Sequence, residues 1–137
     1  MNSQAVCWVW VGLIIGVSFI ATPAKFNAPS LGFPEALDVG RATFNIFRWA
    51  ELFILLSIIL FFFFEGRRFS SLPFYFLAMV SVLLIINYIF IQPLLDIRVQ
   101  KILDGEILSP SILHHWYVFF ELIKLFLLIS ISWMLNK

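Results

Sequence analysis

The residues able to do chemistry fall into two short stretches of this sequence. Asp38, Arg41, Asn45, Arg48 and Glu51 form one set, and His114, Tyr117, Glu121 and Lys124 form the other. At about 100° per residue, the first four share a narrow arc of a helix, and Glu51 lies one turn beyond Arg48, within pairing reach. The second set makes another single stripe. Charged groups inside a membrane span cost roughly 2.5 to 3.5 kcal/mol each, so they turn toward a bundle interior. With histidine neutral, the six ionised groups cancel: Asp38, Glu51 and Glu121 against Arg41, Arg48 and Lys124. Two chemistries fit. The groups are ion pairs that pin two helices together, or they line a polar cavity that binds an anion, a carboxylate or a proton.

Other chemistry finds little support. His114 and His115 are adjacent, so on a helix they point about 100° apart and do not ligate one metal from the same face. Met79 and Met134 are isolated, and Cys7 is the single cysteine, which excludes an internal disulfide and a cysteine-based metal cluster. No metal ligand set, Walker loop, zinc-protease pattern or Ser-His-Asp arrangement is present.

The elements that position these stripes follow from composition. Of 137 residues, 62% are hydrophobic and 12% charged, against about 45 to 50% and 25% in a soluble domain. A chain of this length has too little interior to hide that much apolar surface, so its solvent is the lipid bilayer. A net charge of +1 provides no basic stripe for nucleic acid. A span needs about 20 apolar residues, and four helices are expected, at about residues 5–22, 34–64, 71–92 and 110–135. Pro23 and Gln92-Pro93 are read as stops, and Pro34, Ser71 with Pro73, and Ser109-Pro110 as starts. The first segment lacks the basic leader and cleavage site of a signal peptide and is read as retained. The fold class is therefore all-α, an integral membrane four-helix bundle with both termini on the same side.

Glu65-Gly66-Arg67-Arg68 reads as a tight turn joining antiparallel second and third helices. Ile97 to Leu103 reads as a short amphipathic helix in the headgroup region. The Lys/Arg bias sets Arg67, Arg68 and Lys137 against Lys25, Arg98 and Lys101, and the shortest loop places the termini in the cytoplasm of a bacterial inner membrane. Trp8, Trp10 and Trp133 form one interfacial belt, Trp49 and Trp116 the other. Gly12 and Gly16 permit close helix approach, read as packing within the bundle. Asn87 and Gln92 are read as amides bonded to neighbouring helices.

The segment from Phe19 through Pro23 and Lys25 to Phe26, followed by Ala36 through Asp38 and Arg41 to Phe44, resembles in layout small four-helix membrane families of unknown function. These are similar to the copper-resistance D and HemJ-type protoporphyrinogen oxidase group. The resemblance implies haem and a redox reaction using a first-helix histidine, a residue this sequence lacks there. Only the architecture carries over. Three functions stay open. The first is binding or transport of a small polar or anionic ligand between the second and fourth helices. The second is a redox enzyme using haem or quinone, with His114 or His115 as ligand or proton carrier. The third is an accessory subunit of a larger membrane complex, and assembly as a homo-oligomer stays open as well.

Overall fold

The computed structural model describes residues 2–68 and 71–136; Lys137, used above, lies outside the described residues. Among the described residues are four helices, each long and apolar enough to cross a membrane: α1 Ser3–Phe26, α2 Phe33–Phe64, α3 Leu72–Leu103 and α4 Leu113–Leu135. They pack in a ring in chain order, with α4 closing on α1, so α2 and α4 face each other across the diagonal. α2 meets α3 mainly through the second half of α3.

Each helix buries one apolar stripe. Cys7, Trp10 and Ile14 of α1 meet Phe47, Ile58 and Phe62 of α2, Leu77 and Val80 of α3, and Leu128 and Ile131 of α4. The other faces stay apolar and uncovered: Ile46, Phe53, Phe64 and Phe126 are all widely exposed. Lipid suits such a surface and water does not.

Two expected helix ends are overridden. Pro23 and Pro93 do not stop their helices, which run on to Phe26 and Leu103. Proline lacks an amide donor and its ring crowds the carbonyl four residues back. In both cases that carbonyl, of Phe19 or Ile89, lies in a π-helical stretch, Ile15–Ala21 or Asn87–Ile91. The wider turn moves it off the ring. Thr22 Oγ1 donates to Val17 O at 2.9 Å, a second bond to a carbonyl that already accepts from Thr22 N. As a result Ile97 to Leu103 is the end of α3 rather than a separate surface helix. α4 starts at Leu113, past Pro110.

Gly12 and Gly16 also differ from expectation. A Cβ on either would meet nothing within 4 Å, so no helix of this chain uses their small size. Trp10, expected at an interface, is fully buried, whereas Trp8, Trp133, Trp49 and Trp116 are exposed. Residues two apart on a helix point about 160° away from each other, so Trp8 and Trp10 cannot share a face.

The start of α1, the α2–α3 turn and the end of α4 gather at one end of the bundle. Ser3 donates to Glu65 from its backbone nitrogen and its hydroxyl, both at 2.7 Å, and Gln4 Nε2 donates to Ser132 O at 3.2 Å. Burial acts to raise the Glu65 carboxyl, and the bonds from Arg67 and Ser3 outweigh it, holding the group below its ordinary range. The turn itself depends on Gly66, at φ 62°. Gly66 N reaches Phe63 O and Arg67 N reaches Phe62 O, both at 3.1 Å, the paired bonds of a left-handed helix cap. Replacing Gly66 by Ala is expected to cost about 1 kcal/mol, read as a lower unfolding midpoint in detergent with the helix content unchanged.

Candidate functional site

Three ionisable side chains meet at the centre of the ring. Lys124 Nζ of α4 lies 2.7 Å from Glu51 Oε1 across the diagonal and 2.7 Å from Glu121 Oε1 one turn back on its own helix. Lys124 is 0% exposed, and Glu51 and Glu121 are 1% exposed, so the group is dry. Neutral donors from the other two helices complete it. Trp10 Nε1 donates to Glu51 Oε1 at 2.9 Å, and the Tyr88 hydroxyl donates to Glu51 Oε2. Asn87 Nδ2 donates to Glu121 Oε1 at 3.2 Å. Asn87 and Tyr88 are consecutive at the start of the π-helical stretch of α3, and these neighbours serve different carboxylates.

The expected set of nine residues is therefore split. Glu51, Glu121 and Lys124 come together, with Tyr117 buried against Glu121 and Ser18. Asp38, Arg41, Asn45 and Arg48 do not join them. Asp38 and Asn45 are exposed, while Arg41 and Arg48 are only half-buried. Arg41 pairs with Asp38 at 2.7 Å and donates to Gln100 of α3 at 2.8 Å. Arg48 donates to Asn45 at 3.0 Å and rests over the rings of Trp49 and Tyr88. The physical reason is angular. The buried stripe of α2 runs through Ala36, Gly40, Phe47, Glu51 and Ile58, and Asp38 lies about 140° around the helix from Glu51. The balanced sum of six charges thus breaks up: the arginines stay outside, and two carboxylates face one ammonium inside.

A cavity of about 100 Å³ opens next to this group, toward the end of the bundle away from the Ser3–Glu65 contact. All four helices line it: Thr22 and Lys25 from α1, Gly40 and Phe44 from α2, Gln92 and Asp96 from α3, His114 and Tyr117 from α4. The half-buried Lys25 lies across Gly40, where a Cβ would collide with its Nζ. The ammonium sits 5.1 Å from the Phe26 ring centre and 5.5 Å from that of Phe44. Among the described residues no carboxylate is within ion-pair distance of it. Gln92 Nε2, on a side chain that is 4% exposed, has no acceptor. His114 is exposed at the cavity rim rather than among the central charges. Asp96 also lines the cavity, with Arg41 and Arg48 nearby but, among the described residues, no cation within ion-pair distance of it.

Trp10, Tyr88 and Lys25 were not singled out from sequence as site residues. The spacing of Trp8 and Trp10 held a signal for the first, because one of the two had to turn inward. Tyr88 and Lys25 carried none, since their placement depends on the π-helical stretches that take α1 and α3 through their prolines. Asn87 bonds a neighbouring helix as expected, and Gln92 does not. Among the described residues no group of three His, Cys, Asp or Glu is arranged to hold a metal ion. Comparison with protein-family models, curated proteins and solved structures finds no match for this chain.

Among the described residues, Lys124 is the only cation touching both buried carboxylates. Lys124→Met is expected to destabilise the bundle by about 3 to 5 kcal/mol, the range for leaving buried charge unpaired. Replacing Glu51 by Gln in the same chain should recover part of the loss. Equilibrium unfolding in mixed micelles checks both.

Proposed function

We propose that this chain is an integral membrane protein that binds a small monoanion, such as a short carboxylate, in the cavity at Lys25. The observation that carries the reading is a pair of donors without acceptors in one mostly apolar pocket, the Lys25 ammonium and Gln92 Nε2. Buried donors left unpaired are costly, and an anionic oxygen satisfies both while the apolar walls strengthen the attraction. The volume of about 100 Å³ equals roughly three waters at about 30 Å³ each, which suits formate, acetate or nitrate. His114 at the rim adds a third nitrogen. The resemblance in layout to the HemJ-type group adds no residue to this site, because α1 contains no histidine.

Calorimetric titration of the detergent-purified protein with formate, acetate and nitrate tests the reading. Lys25→Met should weaken binding about tenfold or more, the equivalent of one charge-assisted hydrogen bond. Gly40→Ala should leave stability intact, since only the flexible end of Lys25 has to move, and should weaken binding as well. Wild-type protein that takes up none of the three anions, or a Lys25→Met protein that binds them unchanged, would reject the site.

In this reading the chain sits in a bacterial inner membrane with both termini and the α2–α3 turn in the cytoplasm, supported by Arg67 and Arg68 in the shortest loop. The cavity then opens on the opposite face. An Arg68→Cys protein in intact cells should resist an impermeant thiol reagent, with buried Cys7 silent in the control. Ready labelling from outside would reverse the topology.

A further inference from the structure

The charges at the centre of the bundle do not cancel, and their hydrogen bonds say where the difference is made up. Glu51 has both oxygens engaged, by Lys124, Trp10 and Tyr88. Glu121 uses only one. Its Oε1 faces Lys124 at 2.7 Å and accepts from Asn87 Nδ2 at 3.2 Å, while its Oε2 is buried without a partner. The amide oxygen of the same Asn87 is also buried and without a partner. A carboxylic acid and a primary amide satisfy each other by two bonds, one from the amide N–H and one from the acid O–H. The first of these is made. The second lacks a donor, which a proton on Glu121 would supply, and that proton would also remove the excess negative charge.

We propose that Glu121 holds one exchangeable proton on Oε2, directed at Asn87 Oδ1, and that Tyr117 passes it to and from the cavity. Tyr117 is placed for the task, since it lies against Glu121 on one side and lines the cavity on the other. In release, the Glu121 O–H bond breaks and a new O–H bond forms at the Tyr117 oxygen. The proton already on Tyr117 leaves to a cavity water, which becomes hydronium. Glu121 is left as a carboxylate, and uptake runs the same steps backward. The charged and titratable groups around Glu121 are Lys124 and Tyr117 on α4, Glu51 on α2 and Tyr88 on α3. α1 contributes the neutral Ser18 beside Tyr117 and Trp10 through Glu51, and its Lys25 ammonium lines the cavity with Tyr117. The proton site rests on the charge count and the two orphaned oxygens, so it stands or falls separately from anion binding at Lys25.

Infrared spectroscopy of the purified protein, in H2O and D2O across a pH series, tests it. The wild type should show a protonated-carboxyl stretching band at neutral pH that shifts in D2O. Glu121→Gln should remove the band. Glu51→Gln should remove it too, because one carboxylate then faces one ammonium and Glu121 ionises. Tyr117→Phe should keep the band and slow its deuterium exchange about tenfold or more. If Glu121→Gln does not fold, as judged by circular dichroism, Glu121→Asp replaces it, and the shorter acid should move the band by weakening the bond to Asn87. A wild type without the band, a band that survives in Glu121→Gln or Glu51→Gln or is unmoved in Glu121→Asp, or Tyr117→Phe exchange at the wild-type rate would each overturn the proposal.

Discussion

Two carboxylates and one ammonium, removed from water where α2 and α4 face each other, are the constraint around which this bundle is arranged. Desolvating such groups costs several kcal/mol apiece even after relaxation, and the cost is met only if every lone pair and proton finds a partner at close range. Lys124 reaches both acids at 2.7 Å. Because α2 and α4 are diagonal, the Lys124–Glu51 contact has to cross the centre of the ring, where any misplacement of a helix would open it. α1 and α3 add their own donors through Trp10, Asn87 and Tyr88. All four helices are thus tied to one point, which specifies their register in a way that side chains packed in lipid do not.

The interior is layered along its length. At the end where Ser3 meets Glu65, the core is apolar, with Cys7, Phe62, Leu77 and Ile131 in contact. The central layer holds the ionisable groups Glu51, Glu121 and Lys124. Beyond it the helices leave a cavity whose walls are mostly apolar and whose polar groups include two donors without an acceptor, Lys25 and Gln92 Nε2. Tyr117 borders both of the last two layers, so a change of charge in one is felt in the other at short range and low dielectric.

The two prolines that should have ended helices instead help to shape the polar half. Each is accommodated by a π-helical stretch, a feature that recurs at functional sites because it re-aims side chains. In α3 the stretch begins with the two residues that serve the buried carboxylates. In α1 the helix, carried through Pro23, brings Lys25 over Gly40. A helix stopped at Pro23 would have left Lys25 in a loop.

The sequence by itself determined four long apolar helices, the tight turn at Gly66 and the presence of charges at the middle of the second and fourth helices. These follow from local quantities: runs of apolar side chains, helix periodicity and the backbone limits of glycine. It also put Glu51, Glu121 and Lys124 within reach of one another by depth. Tertiary structure alone decided that Arg41 and Arg48 stay outside with Asp38 and Asn45, because a stripe of polar residues does not say which arc of its helix the neighbours will cover. It decided too that Trp10 points inward, that Gly12 and Gly16 touch nothing, and that helices continue through Pro23 and Pro93. Each of these depends on what lies across a helix from a residue, and hydrophobic periodicity carries no information about the identity of that partner.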